Sequence, residues 1–205
     1  MSNAATLKSK IEAYLLTNAG IDEGTRNFYR ASPSALAYHV AYMLGTVQHE
    51  TAGTYDPIQE FGGPDYFVKL YSPKGNAKLA KQLGNRNDQD AIDYCGMGFV
   101  QITGRANYVR FGKRLGIALA ENPRMATIDY VAMAIMCEGM VYGLFTGLSF
   151  AKMDGDGGKA PYTQYRRIIN GVDKADRIAT YSVEHLRNFY NSVYQTLVTK
   201  GLDAV

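Results

Sequence analysis

The chain has 205 residues, 46% of them hydrophobic and 20% charged, with a formal net charge of +3 at pH 7. That balance excludes a disordered or fibrous chain, and the length is enough to bury a core without metal or disulfide staples. So small a positive charge, with no basic cluster, excludes a dedicated nucleic-acid binder and gives only weak attraction to anionic surfaces.

Leu7, Ile11 and Leu15 recur at helical spacing and predict an amphipathic first helix that ends near Asn18, Ala19 and Gly20. Met1 to Lys10 lacks the apolar stretch of a signal peptide, so the chain is expected to be made in the cytoplasm, with any passage across a membrane supplied by something else. Ser32 caps the next helix and Pro33 opens it. Leu36, Val40, Met43, Leu44 and Val47 give this helix one apolar stripe and carry it to about Thr51. Gly53 to Tyr71, with Gly62, Gly63 and Pro64, reads as irregular. Asn76 opens a short helix that carries Leu79 and Leu83 and closes at Gly84, and Asn85 to Asp93 reads as a polar loop.

Tyr94 to Thr103, broken by Gly96 and Gly98, reads as a loop or short extended segment that feeds a helix capped by Thr103. Thr127 to Leu144 is apolar on nearly every side and predicts a central buried helix, with Met133, Met136 and Met140 filling the core. The longest apolar run, Tyr130 to Cys137, is too short to span a bilayer. Asp154 to Gly158 looks like a calcium loop, but the twelfth position is Tyr165 where a bidentate Glu is needed, so a flexible turn is predicted. Ile178, Leu186, Phe189, Tyr190, Val193 and Leu197 keep a helical period in a long last helix. Cys95 and Cys137 lack the spacing of a metal knuckle or redox motif and read as buried free thiols. With no repeat and no linker, residues 1–205 are expected to form one domain, as a monomer.

Among the titratable residues Glu50 stands out, because it falls on the stripe of Leu36, Met43 and Val47. A carboxyl there faces apolar surroundings at a helix C-terminus. Both conditions favour the protonated form that a general acid requires. The alternative is a solvated Glu at a frayed helix end. A zinc-protease reading of His49 and Glu50 fails, since the second histidine would stand where the chain has Gly53. His39 and His185 read as ordinary surface or core-edge histidines. No cluster has metal-ligand spacing, so neither metal nor cofactor is expected.

Several blocks carry a family likeness. Ala41 to Gly62 contains His49, Glu50 and Thr51 followed by Pro57, Ile58, Gln59 and Glu60. Gly96 to Tyr108 is a glycine-marked loop entering a helix. Arg167 to Gly171 is followed by Ala175 to Ile178, and Gly139 to Gly147 lies between. In this order the blocks resemble glycoside hydrolase family 19, which contains chitinases and phage endolysins, over about Ala35 to Tyr181. The resemblance implies a mainly α, lysozyme-like helical domain with a substrate cleft and little or no β-structure. It implies inverting hydrolysis of β-1,4 bonds between N-acetylated amino sugars. The expected substrate is peptidoglycan, cut by an endolysin that reaches the cell wall after release, with chitin or chitooligosaccharides as the alternative. The expected partner is therefore a polysaccharide, with no nucleic acid and no stable membrane insertion.

Carried over residue by residue, the resemblance makes Glu50 the general acid and Thr103 the hydroxyl that helps hold the attacking water. His49, Gln101, Asn107 and Asn170 become substrate-binding residues, and Arg177 the arginine that orients the second carboxylate. Glu60 matches that carboxylate in the shorter, phage-type members, with Asp65, Asp90 and Asp93 as other candidates. Read without the resemblance, Thr103 is a helix cap and the amides are buried structural groups. Met97 stands where the family usually has Arg, and Val172 where a second Gly is usual. Loss of that arginine removes a fixed positive charge near the cleft. It leaves open a reading of another class, a non-catalytic glycan-binding or particle-associated protein with a degenerate site.

Overall fold

A computed structural model describes residues 3–155, 158–171 and 173–199. The chain forms helices α1 (Asn3–Thr17), α2 (Glu23–Ala31), α3 (Pro33–Glu50), α4 (Pro64–Tyr71), α5 (Ala77–Leu83) and α6 (Asp88–Asp93), followed by α7 (Arg105–Leu115). A 3-10 turn over Pro123–Thr127 leads into α8 (Asp129–Tyr142), α9 (Phe150–Asp154), α10 (Tyr162–Ile169) and α11 (Ala175–Thr199). The fold is mainly α. Among the described residues there is no strand, and β-type pairing is confined to isolated bridges joining Met97 to Gln59 and to Ile102.

The helices with enough apolar residues to set a 3.6-residue period lie where the sequence predicts them. α3 begins at Pro33 and ends at Glu50, with Ser32 and Thr51 flanking it, although the Ser32 side chain makes no capping bond. α5 is held by Asn76, whose side chain accepts from the Leu79 N–H, and closes on Gly84. α8 is buried continuously from Val131 to Met140. α3 is equally central: Ala35 to Val47 is buried except for half-buried Tyr38, and α1, α2 and α11 pack around it. The two thiols are free and buried, and burial pushes Cys95 up to about 11.

Several expectations are corrected. α2 was not expected; it is fixed by Asp22, which accepts from the Thr25 N–H, and buries only Tyr29. The segment read as irregular contains α4, opened by Pro64 and burying Phe67. The polar loop contains α6, where Asn87 accepts from the Asp90 N–H. α10 was likewise unmarked. Thr103 is not a cap, because that position falls to Gly104. His39 is not at the surface: its ring is stacked on Phe150 at 4.1 Å, and its Nε2 lies 2.9 Å from Asp154 Oδ2. Tyr165, the residue that breaks the calcium-loop count, donates its hydroxyl to Asp154. Positions 156 and 157 of that turn, like Val172 and the Leu197 side chain, lie outside the described residues. On α11 the predicted stripe is only partly covered, since Ile178 is buried but Tyr190 and Val193 are exposed.

A buried carboxylate ties three helices. Glu138 on α8 accepts from Tyr14 of α1 at 2.6 Å and from Arg114 of α7 at 2.5 Å. The opposite side of the core depends on close approach instead. At Gly45 of α3 a Cβ would lie 2.4 Å from Ser182 Oγ, 2.9 Å from Ser182 N and 3.0 Å from Ile178 O, the last two being backbone of α11. Gly45→Ala therefore sets a helix-propensity gain of about 1 kcal/mol against overpacking of about 1–3 kcal/mol. Because backbone cannot swing aside, overpacking wins. The variant should melt several degrees below the parent; an unchanged or raised Tm would show that α3 and α11 can separate at no cost.

Candidate active site

A cleft of about 540 Å³ opens between the end of α3 with α10 on one side and α4, α5 and the loop before α7 on the other. α3 contributes His49 and Glu50, and the following loop contributes Ile58, Glu60 and Phe61. Tyr71 comes from α4, Gln101 and Thr103 from the loop, Asn107 from α7, and Arg166 and Asn170 from α10 and its end. The structure thus brings together Glu50, Glu60, Thr103, His49, Gln101, Asn107 and Asn170, and leaves out Arg177 and the alternative acids Asp65, Asp90 and Asp93.

Glu50 does not meet the apolar setting expected from its stripe. Its Oε1 accepts from Arg166 Nη1 at 2.9 Å, and the two side chains are 17% and 7% exposed. Arg166 is in turn anchored through its Nε to the Asp173 carbonyl at 3.1 Å. The next residue to Glu50, His49, is depressed below the usual histidine range by burial first, with Glu50 pulling the other way and Arg166, Arg177 and Lys174 each adding a smaller repulsion.

Glu60 is held by different donors. The Tyr71 hydroxyl lies 3.0 Å from both carboxylate oxygens, and the Gly96 N–H donates to Oε2 at 3.1 Å. The Glu60 N–H returns a bond to the Gly96 carbonyl at 2.7 Å, so backbone and side chain are clamped to the same residue. Burial and the adjoining carboxylate push the Tyr71 phenol well above its ordinary value, which keeps it a donor. Arg177, assigned by resemblance to this carboxylate, is not beside it: it lies exposed in the first turn of α11, near His49 instead. The other acidic candidates do not line the cleft. Asp65 is exposed, Asp90 pairs with Arg105 at 3.0 Å, and Asp93 accepts from Gln89.

The loop amides are partly consumed by the loop itself. Gln101 donates through Nε2 to the carbonyls of Ile58 and Gly98 at 3.0 and 2.9 Å. Asn107 donates to the Thr103 carbonyl at 2.8 Å, and Thr103 donates its hydroxyl to the Gln101 carbonyl at 2.9 Å. Asn107 Oδ1 accepts in turn from Arg110 at 3.2 Å, and Thr103 Oγ1 retains lone pairs. Asn170 is exposed at the end of α10, where its Oδ1 accepts from Gly171. Met97 is buried between the two bridges, so the guanidinium in this cleft comes from Arg166 of α10.

Sequence reading missed Arg166, Tyr71 and Phe61. Arg166 sits in a helix that was not expected, and Tyr71 is one of sixteen tyrosines. Phe61, 83% exposed yet lining the cleft, adjoins Glu60 and was passed over as part of an irregular segment.

No protein-family model and no curated protein matches the chain. Among solved structures it is similar to chitinase C from Streptomyces griseus HUT6037, at 17% identity over 91% of this chain and 74% of that one, with a TM-score of 0.46. It is also similar to a point mutant of chitinase C, at 18% identity over 91% of this chain and 90% of that one, with a TM-score of 0.42.

His49 and His185 should both titrate below 6.5 in an NMR pH series, since burial lowers each. The linkage sign follows: a histidine whose folded pKa is depressed adds stability above its unfolded value and withdraws it as pH falls through the folded one. Midpoints at or above 6.5 would contradict the half-buried placement of these rings.

Proposed function

We propose that this protein is an inverting glycoside hydrolase that cuts β-1,4 bonds between N-acetylated amino sugars, with peptidoglycan as its substrate, acting as an endolysin on the wall after release. The observation that carries this reading is the meeting of two differently held carboxylates, Glu50 and Glu60, in one cleft. Inversion needs one carboxyl to protonate the leaving oxygen and another to activate water, with room between them for that water.

Glu50 takes the acid role. Arg166 binds its Oε1 and leaves Oε2 to carry the proton to the glycosidic oxygen. Once that proton has gone, the guanidinium stabilises the carboxylate left behind, which lowers the barrier to transfer. Glu60 takes the base role, because the donors Tyr71 and Gly96 suit an ionised carboxylate. Thr103 accepts from the attacking water with the lone pairs its own bond leaves free. The cleft volume lies within the range of ligand sites, and the exposed ring of Phe61 suits the apolar face of a sugar.

Chitin is the second reading, favoured by the neutral character of that ring and of the amides Gln101, Asn107 and Asn170. Clearing of outer-membrane-permeabilised bacteria, measured beside sugar release from chitin, separates the two. Failure on both would leave the non-catalytic glycan-binding reading.

Glu50→Gln should lower turnover by roughly 10² to 10⁴, the loss expected for a general acid, with the helical circular dichroism retained. Undiminished turnover would exclude Glu50 as the acid. Activity should also survive EDTA, because no group of three or more His, Cys, Asp or Glu among the described residues is arranged to hold a metal ion. Loss in EDTA that zinc or calcium restores would count against the two-carboxylate mechanism.

A further inference from the structure

The two ends of the cleft differ in chemistry. Beside Glu60 the lining is aromatic, with Tyr71 and the exposed ring of Phe61. Beside Glu50 it is cationic. Arg166 lines the cleft, and the connection from α10 to α11 continues from Asn170 to Lys174 and Arg177. The Arg166 charge is engaged by Glu50, so it is not available to a ligand. Lys174 meets Asp173 at 3.4 Å in a pair exposed by 51% and 76%, a contact worth little in water. Arg177 is exposed and makes no hydrogen bond or ion pair among the described residues. Asp176 is its acidic neighbour in the first turn of α11. The Asp173 carbonyl, just before Lys174, accepts from the cleft-lining Arg166 at 3.1 Å, and Arg177 precedes Ile178, whose carbonyl packs against Gly45 one turn before His49, so both cations border the Glu50 end of the cleft.

We propose that Lys174 and Arg177 form an anion subsite at the Glu50 end of the cleft, which takes a carboxylate of a peptide carried on an amino sugar of the glycan. The subsite makes the enzyme select an anionic over a neutral polymer, and this rests on the glycosidase reading above. A neutral chitin chain offers these cations nothing. A glycan with peptide stems on alternate sugars offers a stem carboxylate to the subsite while its uncharged sugar faces lie against Phe61. Both cations are exposed, so their effect is screened within about 8 Å at physiological salt and should be sensitive to ionic strength.

The test compares the wild-type chain with the double variant Lys174→Glu and Arg177→Glu on cell-wall glycan with peptide stems and on a neutral N-acetylglucosamine oligomer. The ratio of anionic to neutral rates should fall about three- to tenfold, in line with exposed ion pairs. Added salt should lower that ratio in the wild type and not in the variant. An unchanged ratio, or an equal fall on both substrates, would overturn the proposal. A second arm does not need turnover: a soluble peptide-bearing glycan fragment is titrated into Glu50→Gln protein with and without the two reversals. Binding weakened by the same factor supports the subsite, and equal affinity overturns it. If the wild type cuts neither glycan, the glycosidase reading fails, while the binding arm still decides whether the subsite exists.

Discussion

The ion pair between Arg166 and Glu50 sets the terms for the rest of the site. α3 is buried along most of its length, and its last turn carries a carboxylate into a cleft where few of its atoms meet water. The buried guanidinium of Arg166 persists only with such a partner, and removing one member of a pair of this kind typically costs about 3–5 kcal/mol because the other is stranded. Arg166 comes from α10, which lies beside the end of α3 on the same side of the cleft. Its second bond, to the Asp173 carbonyl, ties down the connection that leads into α11. One guanidinium thus fixes Glu50, one wall of the cleft and the direction in which the chain leaves that wall.

The other wall is organised by backbone. Gly96 serves Glu60 through both its N–H and its carbonyl, and a Cβ there would lie 2.8 Å from Gln101 Oε1 and 3.1 Å from Glu60 Oε2. Gly98 sits at a φ of +80°, with the Ala126 carbonyl 2.7 Å from where a Cβ would stand. The loop is therefore pressed against both the carboxylate and the turn before α8, and only glycine fits at these points. Gln101, itself in the left-handed region, spends its amide protons on holding this loop shut. Gln101 and Asn107, which look like sugar ligands in the sequence, are then first of all the framework of the loop that holds Glu60.

Much of the helical architecture was legible, because α1, α3, α8 and α11 have long runs in which apolar residues repeat at helical spacing. Shorter helices escaped. α4 and α6 bury one or two residues each, too few to register a period, although Pro64 and Asn87 carried the start signals. His39 was misread for a related reason: its stripe position is apolar, and nothing local shows that Asp154, 115 residues later, comes to meet it. At the site, the apolar stripe carried Glu50 correctly to the inner face of α3, but a buried cation opposite it cannot be read from that helix alone. Arg166 became visible only when α10 was brought across. The same holds for Tyr71, which is distinguished from the other tyrosines only by what its hydroxyl touches.

The central claim is that Glu50 and Glu60 work as an acid and a base across one water, with no covalent step between them. The most direct measurement is the anomeric configuration of the sugar released in the first moments of cleavage of a β-linked N-acetylglucosamine oligomer, followed by proton NMR before mutarotation. The α-anomer should appear first. Appearance of the β-anomer first, or no new reducing end, would contradict the account.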